Sequence, residues 1–193
     1  MTTWHALYEQ HCAMRAEPGD LQSSLRKRLI DLADRGHCNK TIKGRFTRNQ
    51  RGRLFELRID AADDREPLRA LHGLDDAYLR VLALVSFRTG HVHHFTAMIE
   101  GVTATRSPWV AAVHLEDDRE PPDHDRKGSG ACGHAAFHCH VGPTMEHEPK
   151  VRVPFPAVGP VGALDWLLSI VIPAWEPVRW ARVVSSEAVG PDR

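Results

Sequence analysis

Between Cys132 and His140 the chain reads Cys-Gly-His-Ala-Ala-Phe-His-Cys-His. Read as a strand, this run puts His134, His138 and His140 on one face and Phe137, Cys139 and Val141 on the other, because successive side chains alternate. Imidazoles are metal ligands and proton carriers near neutral pH, so a row of them backed by an apolar face is a candidate for chemistry. Alternate residues on a strand lie roughly 6.6 Å apart and neighbouring strands about 4.8 Å apart. His138 and His140 are therefore within reach of one ion, and a third ligand has to come from another strand: His114, His94 or Glu116. His134 stands about 13 Å from His138 along an ideal strand and joins the same site only if Gly133 supports a bulge. Imidazole and carboxylate ligands suit Zn, Fe, Ni or Cu better than Mg or Ca. With three ligands and an open position such an ion activates water, with Glu116 as ligand or general base of a hydrolase or nuclease. No Cys-x-x-Cys pair and no His-Glu-x-x-His run is present, so no single stretch supplies the ligand set. The plain alternative is the solvated or partner-facing side of an antiparallel sheet.

The elements that must position these residues are read from periodicity. Residues 3–16 and 20–35 read as a helical pair; in the second helix Leu21, Leu25, Leu29 and Leu32 recur at helical spacing, Asp20 caps it and Gly36 stops it. From Thr41 to Asp60 the period is two: Phe55, Leu57 and Ile59 alternate with Glu56 and Arg58, and residues 49–52 turn between two strands. Leu68, Leu71, Leu74, Tyr78, Leu82 and Val85 predict a long amphipathic helix over 66–88, with Gly73 and Asp75-Asp76 as points of possible division into two pieces and Gly90 as its end. Strands follow at 91–102 and 109–116, then a polar loop at 117–131, the cluster strand at about 132–141, and a short strand marked by Val151, Val153 and Phe155. Leu164 to Ile172 predicts a nearly all-apolar helix stopped by Pro173. Parity makes Phe95, Ala97, Ile99, Trp109, Ala111, Val113 and Leu115 core. If the strands pair as a meander, His94, Glu100, His114, Glu116, His138 and His140 collect on the opposite face.

Other constellations carry less. His11-Cys12, His37-Cys38 and His138-Cys139 repeat a dipeptide, and Cys132, beside Gly130 and Gly133, is the cysteine best placed to be a nucleophile, with His134 or His114. Asp123-His124-Asp125 superficially resembles part of an HNH nuclease, but no asparagine lies beyond it. The segment 26–58 is strongly basic; Lys40, Lys43, Arg45 and Arg48 could contact phosphates and Phe46 could stack on a base. A solvated hairpin balanced by the acidic stretch 60–76 explains the same charges.

The bulk properties set the frame. The 193 residues suit one domain, the 25 basic and 25 acidic side chains cancel, and 13 histidines turn the chain cationic under acid. Neutral balance disfavours a chain steered globally to nucleic acid or anionic membrane. The start lacks a signal-peptide pattern, 161–175 is too short and too interrupted to span a bilayer, and the cysteines form no tight framework, so a cytoplasmic, reduced, membrane-free protein is expected. Arginine far outnumbers lysine, an association with bacterial, GC-rich coding.

Over about residues 66–180 the order helix, four strands, helix resembles the ubiquitin-conjugating and RWD-type domains. The run Gly133 to Pro143 followed by Glu148-Pro149-Lys-Val-Arg-Val153-Pro154 is similar to that family's strand–proline–strand passage, with Trp175-Glu-Pro177 after the apolar helix. No cysteine follows Cys139 and no His-Pro-Asn motif occurs, so the resemblance implies a non-conjugating, protein-binding relative.

The expectation is an α+β protein with an antiparallel sheet of four or more strands packed against helices. Residues 1–62 form a subregion of helices and basic β-hairpin, and 63–193 the core domain. Its leading function is a binding or adaptor module whose histidine-rich sheet face contacts a partner protein, a ligand or a transition metal such as Zn.

Overall fold

The computed structural model describes residues 18–60, 64–116, 137–143, 152–154 and 158–177. Helix α1 (Pro18–Asp34) forms where the leucine spacing places it. Leu25, Leu29 and Leu32 are fully buried and Leu21 nearly so, each contributing roughly 2 kcal/mol of transfer free energy. Its end is a Schellman motif. The Gly36 amide donates to Ala33 O and the His37 amide to Leu32 O, both at 3.0 Å, and Gly36 takes the φ of 83° that this cap requires. A single helical turn, α2 (Ile42–Arg45), leads into the basic hairpin of β1 (Phe46–Arg51) and β2 (Leu54–Ile59). The predicted helix over 3–16 lies outside the described residues.

The region 66–88 is not a helix. It forms β3 (Glu66–Leu68) and the 13-residue strand β4 (Leu74–Ser86). Ala77, Leu79, Val81, Ala83 and Val85 are all buried on one face, a period of two. Leu82 and Leu84, half-buried on the other face, fill the gaps. The result is a continuous apolar run, which periodicity alone cannot separate from a buried helix. The described elements over 66–180 are six strands followed by one helix.

Strands β5 (Val92–Thr103), β6 (Pro108–Glu116), β7 (Phe137–Gly142) and β8 (Arg152–Pro154) lie close to their predicted positions. The eight strands make one antiparallel sheet in the order β1-β2-β4-β5-β6-β7-β8, with β3 paired to the first half of β4. Because β2 pairs with β4, the basic hairpin is continuous with the rest of the sheet. Between Leu74 and Ala77 the β4–β5 register shifts, and Gly101 stands opposite Ala77. A Cβ on Gly101 would lie 2.5 Å from the Asp76 carbonyl oxygen; the close approach at this bulge requires glycine.

Helix α3 (Gly159–Val171) packs on β5, β6 and α1. Ala163, Leu164, Leu167 and Leu168 are fully buried. Asp165 is buried as well, accepting from Arg28 Nε at 2.6 Å and from Trp175 Nε1 at 2.9 Å. Arg28 also reaches Asp31 and Glu176 O and stacks over the Trp175 ring at 4.6 Å. This network ties α1, α3 and the following segment together on one side of the sheet. The helices cover the face bearing Phe95, Ala97, Ile99, Ala111, Val113 and Leu115, all fully buried. No described helix is long and apolar enough to cross a membrane.

Candidate functional site

On the face turned away from the helices, register decides which imidazoles meet. Strand β6 lies between β5 and β7. Across it His94 stands opposite Glu116, Thr96 opposite His114, His114 opposite His138, and Ala112 opposite His140. Alternation does the rest: His138 and His140 point the same way, with Cys139 between them turned into the core at 4% exposure.

Three rings gather as a result. The centroids of His138 and His140 are 4.8 Å apart, those of His114 and His140 5.2 Å, and those of His114 and His138 5.5 Å. His114 and His138 lie nearly parallel at 29°, and His140 stands almost perpendicular to both, at 78° and 79°. Both His138 and His140 are only 7% exposed, and Val110 and Ala112 beside them are buried. On this face His138 and His140 are closed to solvent, while His94, Thr96 and His114 are half-buried.

His94 joins through a hydroxyl rather than a ring contact. Thr96 Oγ1 lies 2.9 Å from His94 Nε2 and 3.0 Å from His114 Nδ1. Parity places Thr96 on this face from the sequence, but nothing in the sequence marks it as the link; only the β5–β6 register does. Glu116 sits on the same face, opposite His94 and two residues from His114; its backbone position alone is described. Glu100 is on the same strand face but engages Arg65 at 3.1 Å and Arg80 at 3.5 Å. Six residues from His94, it is roughly 20 Å away along β5 and belongs to a separate ion-pair cluster. Cys132, His134, the loop 117–131, Asp123-His124-Asp125 and His11-Cys12 lie outside the described residues.

Among the described residues, no group of three or more His, Cys, Asp or Glu side chains is arranged, as the side chains stand, to hold a metal ion. The ring-centroid distances are of the size a shared ion needs, as they are of ordinary ring packing. With metal–nitrogen bonds of about 2.0–2.1 Å, each ring centroid sits about 3.2 Å from the ion, and at tetrahedral angles the centroids are about 5.2 Å apart. The observed 4.8–5.5 Å brackets that value.

Cys38 is a different kind of site. It is buried beside Glu66, and burial, reinforced by that carboxylate, pushes its thiol up to about 12. A thiol held neutral is a poor nucleophile, and His37 Nδ1 lies 3.2 Å from Arg69 O.

Part of the basic segment is paired within the chain. Arg45 meets the buried Glu66 at 2.8 Å, Arg51 and Arg58 share Glu56, Arg26 donates to Phe46 O, and Arg48 lies over the Phe55 ring at 4.9 Å. Phe46 is fully buried and so cannot stack on a base. Of the four residues expected to touch phosphates, Lys40 and Lys43 are exposed at a small notch shared with Asp34, Arg48 is exposed with its charge over a ring, and Arg45 is ion-paired. No protein-family model, curated protein or solved structure matches this chain.

Proposed function

We propose that the protein is a binding module acting through the histidine-bearing face of its sheet, and that its ligand there is a late transition-metal ion of the Zn type, held by His114, His138 and His140. The observation that carries this reading is the triangle of rings at 4.8, 5.2 and 5.5 Å, the size that three imidazoles need around one ion. Burial favours an ion over a protein partner as the direct ligand. Two rings at 7% exposure offer almost no area to another protein, whereas an ion needs only their lone pairs. Imidazole donors select Zn, Cu, Ni or Fe over Mg or Ca.

Metal analysis of the untagged protein tests this directly. About one equivalent of Zn or a neighbouring transition metal per chain is expected, with a rise in melting temperature on adding it to metal-stripped protein. Less than about a tenth of an equivalent, with no thermal shift on addition, overturns the reading.

A further inference from the structure

We infer that Thr96 is a positioning residue for this site: its hydroxyl, held between His94 and His114, sets the ring tautomer of His114 so that Nε2 is the atom offered to the ion. This role rests on the metal-binding reading above and deepens it.

Thr96 is on β5, directly opposite His114 on β6, and its Oγ1 is within hydrogen-bond distance of His94 Nε2 (2.9 Å) and His114 Nδ1 (3.0 Å). A hydroxyl has one proton to give and two lone pairs to receive. It can donate to one ring at most and must accept from the other. A neutral imidazole carries its proton on one nitrogen and its lone pair on the other. When Thr96 accepts from His114 Nδ1–H, the lone pair of His114 is on Nε2 and can bind a cation. When Thr96 donates to Nδ1 instead, Nε2 carries the proton and is closed to metal.

The layout of the sheet favours the first state. Thr96 approaches from β5, while His138 and His140 approach from β7 on the other side of β6. Nδ1 is committed to the β5 side, so the nitrogen that serves an ion shared with β7 is Nε2. The hydroxyl proton then goes to His94 Nε2, giving a directed chain from His114 Nδ1–H through Thr96 Oγ1–H to His94. Ligating histidines commonly have the non-ligating N–H fixed by such an acceptor. Threonine suits the task because its branched side chain has few rotamers in a strand. His94, counted on sequence grounds as a possible ligand, becomes instead the far end of this chain.

Two variants and two measurements test the role. Thr96→Val keeps the branched shape without the hydroxyl, and Thr96→Ser keeps the hydroxyl. In metal-free protein at alkaline pH, long-range proton–nitrogen NMR of the ring nitrogens should show His114 in the Nδ1–H form in wild type and Thr96→Ser, and a mixture in Thr96→Val. Zn affinity, measured by competition with a chelating dye, should fall about ten- to hundred-fold in Thr96→Val and stay near wild type in Thr96→Ser. A wild-type His114 in the Nε2–H form overturns the inference whether or not the variants fold. Zn uptake by wild type with unchanged affinity in Thr96→Val overturns this inference alone. A wild-type chain that takes up no Zn overturns the metal reading and this role with it.

Discussion

His138 and His140 are placed by alternation, whereas their partner His114 is placed by register. That difference governs what single substitutions should do. Ala at His114, His138 or His140 is each expected to reduce Zn uptake to below about a tenth of wild type, because two imidazoles rarely retain the ion. His72→Ala, at an exposed position between β3 and β4, should leave uptake intact; metal content after gel filtration distinguishes them. Cys38 behaves oppositely to a reactive thiol. Its pKa stands at about 12 against an unfolded value near 9.0, so above pH 9 the unfolded chain loses this proton first. The thiol is therefore neutral to stability below pH 9 and destabilises the fold increasingly as pH rises from 9 toward 12. Denaturation midpoints of wild type and Cys38→Ala should run parallel below pH 9 and shift in favour of Cys38→Ala above it. Parallel curves throughout would remove the assignment.

At the level of elements, two devices hold the sheet and its helices in place. The Arg28–Asp165 pair is buried on both sides, at 8% and 0% side-chain exposure. Removing one charge strands the other in a dry interior, so Asp165→Asn is expected to cost about 3 kcal/mol, read from urea unfolding. Replacing both by apolar residues of similar volume should cost much less. Gly101→Ala drives a methyl onto the Asp76 carbonyl and should lower stability by about 1–3 kcal/mol, with unchanged stability ruling out the close contact. Legibility in the sequence varies with element type. The leucine stripe and Gly36 mark α1 unambiguously, and β5 and β6 alternate cleanly. Strand β4 reads as helix because Leu82 and Leu84 are apolar on the face opposite its core set, a placement that only neighbouring strands make sensible.

Over the whole molecule, charge is balanced by sorting rather than by absence. The basic hairpin looks like a polyanion site in one dimension, yet the fold sets Arg45 against Glu66 and Arg51 and Arg58 against Glu56. Phosphate contacts at Arg45, Arg51 or Arg58 would have to displace these pairs, and Phe46, offered on sequence grounds as a stacking ring, is in the core. Titration with single- or double-stranded nucleic acid should therefore give no binding that persists at about 200 mM salt. Persistent binding, weakened by Lys40→Glu and Lys43→Glu, would restore the hairpin as a functional surface.

The sequence by itself determined the α+β class, the strands at 91–102 and 109–116 and the described part of the one expected at about 132–141, the apolar helix before Pro173, and the shared face of His94, His114, His138 and His140. These follow from local rules: a period of two or 3.6, and the chemistry of turns and caps. Tertiary structure alone decided that 74–86 is a strand, that His114 rather than His94 completes the triangle, that Thr96 links the two, and that Arg51 and Arg58 of the hairpin pair with Glu56. Each of these depends on which residues stand opposite one another across strands far apart in sequence, and hydrophobic period carries no information about that pairing.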